Sequence, residues 1–350
     1  MPVPPSVYVY SAAAFAISAA LTWVVRKVVL KYGIIDQPNA RSAHSTPVPR
    51  GGGLAVVFAV SLLIAIAAAA GVVDQQLLLA LLGGGTAVAW IGFRDDRGSV
   101  SVLVRLVVHL LSAVWAMYAL GGLPPIQAGA RVVDLGIFGD VLGTLALIWT
   151  LNLFNFMDGI DGIAASEASF IAIAGGALCL LAGTSLSVAA GAVIVAAASA
   201  GFLIWNWPPA KIFMGDVGSG YLGFVIGVLA IASGRESPAA PFVWLILGAV
   251  FFTDSLVTLL RRLVRGEKVY EAHSSHAYQV LARRWGSHLL VTSSVIAVNV
   301  LVLLPLAWVA NTFARYAALI TVAVMGVLAL AIFILGKERR NGQQPKGGRV

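Results

Sequence analysis

The chain has 350 residues, 59% of them hydrophobic and only 11% charged, a balance that excludes a water-soluble domain and leaves room for about ten or eleven apolar membrane crossings in one bundle. Its formal net charge of +8 does not argue for a nucleic-acid partner, because basic residues of a membrane protein gather at the cytoplasmic leaflet. The single cysteine, Cys179, excludes an internal disulfide or thiolate metal cluster and reads as a small core residue.

The expected fold class is all-α, a polytopic transmembrane helix bundle of about eleven spans. In chain order, apolar stretches predict crossings over 7–29, 54–73, 77–93, 102–120, 141–156, 163–181, 186–205, 217–232, 242–260, 289–310 and 314–335. They must be helices, because a backbone amide in hydrocarbon has to be bonded within its own segment. The first stretch lacks a basic n-region and an A-x-A end, so it reads as a retained span and not a signal peptide. Residues 1–336 then form one transmembrane domain, and 337–350 a basic cytoplasmic tail expected to be disordered. With the N-terminus outside, twenty of the 23 Lys and Arg residues fall on inner connectors and the tail, leaving only Arg131, Arg235 and Arg315 outside. The expected topology is therefore N-terminus out and C-terminus in. Small residues such as Gly83 to Gly85, and Gly215, Gly218, Gly220 and Gly223, are placed to let helix backbones approach.

That topology brings the polar clusters to one face. Asp95 and Asp96 follow the third span as Arg-Asp-Asp-Arg-Gly; adjacent carboxylates call for a nearby cation, although a solvated turn neutralised by Arg94 and Arg97 fits the same residues. In Asn152-Leu-Phe-Asn155-Phe-Met-Asp158-Gly-Ile-Asp161-Gly, the polar residues at 152, 155 and 158 neighbour one another along a helix face, and the glycines then break the helix. Two amides and two carboxylates so placed suit a hard, oxygen-liganded cation such as Mg²⁺, which shares its shell with substrate phosphates.

Lys211-Ile-Phe213-Met-Gly-Asp216-Val-Gly-Ser-Gly adds an acid on a glycine-flanked turn that opens the eighth span, where backbone amides are also available to an anion. Asp254, two turns before Arg261 and Arg262, reads as an interhelical polar contact. His273 and His276 lie in a basic loop and suit phosphate or sugar contacts better than zinc. His109 and His288, without polar neighbours in sequence, read as structural.

With these residues in view, the chain resembles the polyprenyl-phosphate N-acetylhexosamine-1-phosphate transferases, glycosyltransferase family 4. The likeness runs from Asp36-Gln-Pro-Asn39-Ala-Arg41-Ser-Ala-His44 and Thr46-Pro-Val-Pro-Arg50-Gly-Gly-Gly to His276. It looks most similar to the bacterial branch that starts O-antigen or capsular glycans on undecaprenyl phosphate.

The resemblance implies Mg²⁺, with Mn²⁺ as a substitute, on Asn155 and Asp216. It implies that Asp95 and Asp96 activate or position the lipid phosphate, that Arg105 contacts phosphate, and that Asp158 is an essential acid. Asp161 and Phe213 match positions that bond and stack on the uracil ring, and Asn152, His276, His44 and Thr46 match substrate-binding positions. Relatives often carry H-x-H-H where this chain has His276-Ala-Tyr-Gln, an Asp where it has His273, and a Lys where it has Leu103, which points to a variant donor sugar.

The implied reaction moves N-acetylhexosamine 1-phosphate from a UDP-sugar to undecaprenyl phosphate and releases UMP, at a site facing the cytoplasm in a bacterial inner membrane. Membrane lipids are the surroundings, and a homodimer is left open. A lipid or nucleotide-sugar transporter, or a phospho-muramoyl-pentapeptide transferase, are the alternatives weighed.

Overall fold

The structure is a computed structural model of the chain; it describes residues 4–32, 35–36, 47–267 and 274–342, and of 35–36 and 336–342 only the backbone. Helix α1 (Pro5–Lys31) and α2 (Gly53–Ala69) flank a small antiparallel pair, β1 (Ile35–Asp36) with β2 (Val48–Pro49). The next crossing joins α3 (Gln75–Leu79), a π-turn at Ala80–Gly84 and α4 (Gly85–Arg97), and α5 (Val102–Leu120) returns. A hairpin of β3 (Ile126–Ala128) and β4 (Arg131–Val133) leads into α6 (Gly136–Met157), α7 (Ile163–Leu181), α8 (Leu186–Asn206) and α9 (Asp216–Ser233). Then come α10 (Ala240–Leu247), α11 (Ala249–Val264), the short α12 (Ala277–Trp285), α13 (His288–Val298), a π-turn at Asn299–Leu303, α14 (Leu304–Thr312) and α15 (Ala317–Gly342).

Among the described residues nine helices are long and apolar enough to cross a membrane, and the bent pair α10–α11 makes a tenth. The 17-residue apolar α2 completes the eleven crossings read from the sequence. The protein is an all-α, multi-pass membrane protein.

Three features depart from a plain reading of spans. The ninth crossing is not straight: α10 and α11 meet at 75° across Gly248, whose φ of −92° and ψ of 12° leave helical geometry. Two crossings carry π-turns. In the first, the Trp115 indole donates to the Leu79 carbonyl at 2.8 Å; the second lies just before Pro305, which has no N–H to offer the preceding turn. The stretch around His276, read as a loop, becomes α12, with Tyr278 and Ala282 on its buried side. Helix α15 enters the stretch read as a tail, whose residues 343–350 lie outside the described ones.

Helix α9 is the centre of the bundle, and glycines put it there. A Cβ on Gly53 of α2 would stand 2.4 Å from the Gly218 Cα, one on Gly92 of α4 2.5 Å from the Asp216 carbonyl oxygen, and one on Gly223 2.5 Å from the Thr150 carbonyl oxygen of α6. In lipid, where apolar surface gains nothing by leaving the solvent, such backbone proximity and the dispersion it recovers hold helices together. Three helices thus converge on the first turns of α9. Elsewhere in the bundle Glu167 of α7 is buried and accepts a hydrogen bond from the Asn299 amide at 2.5 Å, tying α7 to the π-turn.

Candidate active site

The loop ahead of α9 is stitched to the segment ahead of α2. Phe213 donates its N–H to the Pro49 carbonyl at 2.8 Å; Gly51 and Gly52 donate to the Phe213 carbonyl at 3.1 and 2.9 Å, and Gly53 to the Met214 carbonyl at 2.9 Å. Gly215, at φ +78°, makes the last turn before Asp216, in a conformation that costs a glycine nothing. Buried Asn206 links this loop to the α6–α7 corner, donating to the Ile212 carbonyl at 3.0 Å and accepting from the Gly162 N–H at 3.0 Å.

Asp95 and Asp96 occupy the last turn of α4 and not a solvated loop. Consecutive helical residues point about 100° apart, so the two carboxylates part company. Asp95 accepts from the Val100 N–H at 2.8 Å and pairs with Arg105 of α5 at 2.6 Å. Asp96 accepts from the N–H groups of Asp216 and Val217, at 2.9 and 3.1 Å, and so caps α9. The helix-start amides that looked available to an external anion are filled from within the chain. Asp96 also meets Arg50 Nε at 3.0 Å, and the other limb of that guanidinium reaches Asp216 at 2.8 Å. The two carboxylates therefore have different partners. Asp95 lines the cavity with Arg105, whereas Asp96 holds the backbone N–H of Asp216.

A cavity of about 30 Å³ lies at this junction, lined by Asp95, Arg105, His109, Asn152, Asn155 and Asp216 among others. It has room for one or two water-sized groups and none for a sugar nucleotide, which must lie over it. Asn155 donates to the Ser219 hydroxyl at 3.1 Å, which orients its amide beside the start of α9. Asn152 donates back to the Ile148 carbonyl at 2.7 Å.

Asp158 ends α6. Burial pushes its carboxyl well above the ordinary range; Arg50 pulls it back, and Asp216, Asp96 and Asp161 push it further up. So many carboxylates around one small space, with Asp216 and Asn155 supplying hard oxygen donors, fit a divalent oxygen-liganded cation. Among the described residues, no three His, Cys, Asp or Glu side chains form a closed metal cage.

Asp161 accepts from the Ala210 N–H at 3.0 Å and stands 3.2 Å from His288 Nδ1, while the Thr292 hydroxyl, one turn on in α13, bonds the Asp161 carbonyl at 2.9 Å. His288 thus has polar company, contrary to the reading from sequence; His109 likewise lines the cavity. Local sequence hides both, because their partners are more than a hundred residues away or on another helix. Arg50 does carry a signal in the sequence, since it directly precedes the glycine triplet that packs beside the Asp216 loop.

His276, expected among the substrate contacts, is only 1% exposed. It lies 3.5 Å from Asp254, its ring stacked on Phe156 and Tyr278 at 6.4 and 5.9 Å between centroids. Asp254 accepts from the N–H groups of Ala277 and Tyr278 at 2.9 and 3.2 Å and so caps α12. Tyr278 in turn donates to the Phe156 carbonyl at 2.9 Å, and a Cβ on Gly159 would strike its hydroxyl at 2.1 Å. This group buttresses the end of α6 from behind. His44, Thr46 and His273 lie outside the described residues.

The model of glycosyl transferase family 4 matches residues 78–234, the stretch from the third crossing through α9. A probable undecaprenyl-phosphate N-acetylglucosaminyl 1-phosphate transferase of Bacillus subtilis (strain 168) is 28% identical over 277 residues, 77% of this chain and 75% of its own length. Undecaprenyl-phosphate alpha-N-acetylglucosaminyl 1-phosphate transferases of Yersinia pestis and Escherichia coli (strain K12) are each 30% identical, over 280 and 283 residues, with 77% of this chain and 75% and 74% of theirs covered. With that identity sustained across three quarters of both chains, this protein belongs to glycosyl transferase family 4, among the membrane enzymes that transfer a sugar 1-phosphate to a polyprenyl phosphate.

Proposed function

We propose that the protein transfers N-acetylhexosamine 1-phosphate from a UDP-sugar to undecaprenyl phosphate, releasing UMP, as the first membrane step of O-antigen or related envelope glycan synthesis. One observation carries the reading: the Asp95–Arg105 pair and the Asp216–Asn155 pair face one small cavity, and α5, which carries Arg105, turns exposed apolar residues outward. Leu103, Leu106, Val107 and Leu111 of α5 are exposed apolar residues, so an acceptor phosphate carried on a lipid tail reaches Arg105 without leaving the bilayer. The relatives named above act on N-acetylglucosamine, which makes UDP-GlcNAc the first donor to test, with 6-deoxy donors such as UDP-FucNAc and UDP-QuiNAc beside it.

Asp216 and Asn155 would hold Mg²⁺, with Mn²⁺ as a substitute, and the metal supplies neutralising charge to the donor diphosphate. Arg105, locked by Asp95, fixes the acceptor phosphate in line with the sugar-bearing phosphorus. An acceptor oxygen bonds that phosphorus as the bond to the UMP oxygen breaks. The acceptor is largely dianionic at neutral pH, so no base need take a proton. Both Asp95 oxygens are already bonded, which favours this direct displacement over an aspartyl intermediate. Asp161 and Phe213 hold the uracil ring. The site faces the cytoplasm of a bacterial inner membrane, in keeping with the basic connectors at that end.

Purified protein in detergent, given undecaprenyl phosphate, Mg²⁺ and a panel of UDP-sugars, is expected to release one UMP per lipid product. EDTA and Asp216→Ala are expected to stop it. Absence of UMP with every donor, or an unimpaired Asp216→Ala enzyme, refutes the reading and restores the transporter alternative.

A further inference from the structure

We propose that Arg50 binds the phosphate of the uridine nucleotide, as a second guanidinium of the site beside Arg105. The inference rests on the transferase reading above and adds to it a residue that the sequence left outside the site.

The position is built and not incidental. Arg50 pairs in a parallel bridge with Phe213; the Pro49 carbonyl accepts from the Phe213 N–H, and Gly51, Gly52 and Gly53 donate to the Phe213 and Met214 carbonyls, which locks the Arg50 backbone to that of the loop carrying Asp216. The guanidinium therefore springs from beside Phe213, the residue read as stacking on uracil, and ends on Asp216, the residue read as metal-binding. In a nucleotide the phosphate lies between base and metal.

Charge points the same way. Asp95, Asp96, Asp158 and Asp216 crowd this end of the bundle, and Arg105 is held by Asp95. An incoming phosphate meets repulsion from these acids, which a cation on the nucleotide side relieves together with the metal that Asp216 and Asn155 would hold. Arg50 is placed to be such a cation. Its side chain is 37% exposed against 8% and 23% for the two carboxylates it bridges, so it forms their outer layer. A guanidinium presents five N–H donors in one plane, and it can grip carboxylates along one edge and a phosphate along another, which a lysine ammonium cannot. Asp96, itself fixed on the α9 amides, anchors the near edge.

The test is calorimetric binding of UMP and of uridine, in Mg²⁺, to the full-length wild type, Arg50→Gln and Arg50→Lys. Charged hydrogen bonds of this kind are worth about tenfold to a hundredfold in affinity. Arg50→Gln is expected to lose that factor for UMP and to keep uridine binding within about twofold, the uridine arm reporting that the base pocket is intact. Arg50→Lys is expected to fall between the two, and decides the matter should the Gln variant fail to fold. Equal losses for UMP and uridine would show a purely structural residue and overturn the inference, as would unchanged UMP binding in both variants. A wild type that binds no UMP would overturn the transferase reading as well.

Discussion

Two helices in this bundle begin on a carboxylate borrowed from a neighbour, and they end up with different work. Helix α9 rests its first amides on Asp96 of α4, and α12 rests its first amides on Asp254 of α11. In both, an anion at a helix start satisfies amides that would otherwise be left unbonded and interacts favourably with the helix dipole. Each has a cationic or cation-capable partner alongside, Arg50 in the first and His276 in the second. The surroundings then separate them. The Asp254–His276 pair is 3% and 2% exposed and closed over by Phe156 and Tyr278, whereas Arg50 is 37% exposed and bridges Asp96 to a further acid on the capped helix itself, Asp216, which lines the cavity. The same capping device is sealed by aromatic rings in one place and left open beside the candidate site in the other.

The sharpest way to break this contrast is to remove a carboxylate from each side. Asp216→Ala should lower Mg²⁺-dependent UMP release at least about a thousandfold, since an electrostatic group acting on the transferred phosphate is lost. Its melting temperature should barely move. Asp254→Ala should do the reverse: it strands the α12 amides, costs about 1–3 kcal/mol of stability, and changes the rate mainly through looser support of the α6 end. Thermal melts beside UMP-release rates separate the two, and a stable but inactive Asp254→Ala would erase the distinction.

His288 offers a finer test. If it orients Asp161 for uracil, His288→Ala should raise the donor KM about tenfold with kcat within about twofold, and His288→Asn, whose amide keeps both an acceptor and a donor near the Nδ1 position, should recover much of it. An equal fall in kcat would place His288 in the chemistry instead.

Asp158 gives a pH-dependent test. Its folded carboxyl titrates above the ordinary range, so its contribution to stability is complete at low pH and is lost as pH rises through the raised value. Melts of chelator-treated protein should therefore show a decline with rising pH that Asp158→Asn abolishes and saturating Mg²⁺ offsets. The smallest effect is expected far from both helix starts. Glu167→Gln keeps a partner for Asn299 and should leave activity within about twofold, which would place that buried acid in packing alone.

The bundle was legible because hydropathy and helix length speak residue by residue: spans such as 102–120 and 163–181 coincide with α5 and α7. The ninth crossing was harder, since a composition that predicts a span carries no mark of a 75° bend beyond one glycine. Of the residues lining the cavity, Asp95, Asn155 and Asp216 were legible as polar residues stranded in apolar sequence, and Arg105 through the family resemblance. Arg50 and His288 were not, because each is held by a partner distant in sequence, nor was His109, whose place at the cavity appears only when α4, α5, α6 and α9 meet.

Composition and local pattern by themselves determined the solvent, the helical class and the pool of acids available to one end of the bundle. Tertiary structure alone decided how that pool was divided. Adjacent carboxylates on a helix diverge, so packing against α9 turned Asp96 into a cap and left Asp95 to the cavity, and packing enclosed His276 beside Asp254 between Phe156 and Tyr278. Those assignments depend on which backbone amides and rings arrive nearby, and no stretch of the chain read in isolation contains them.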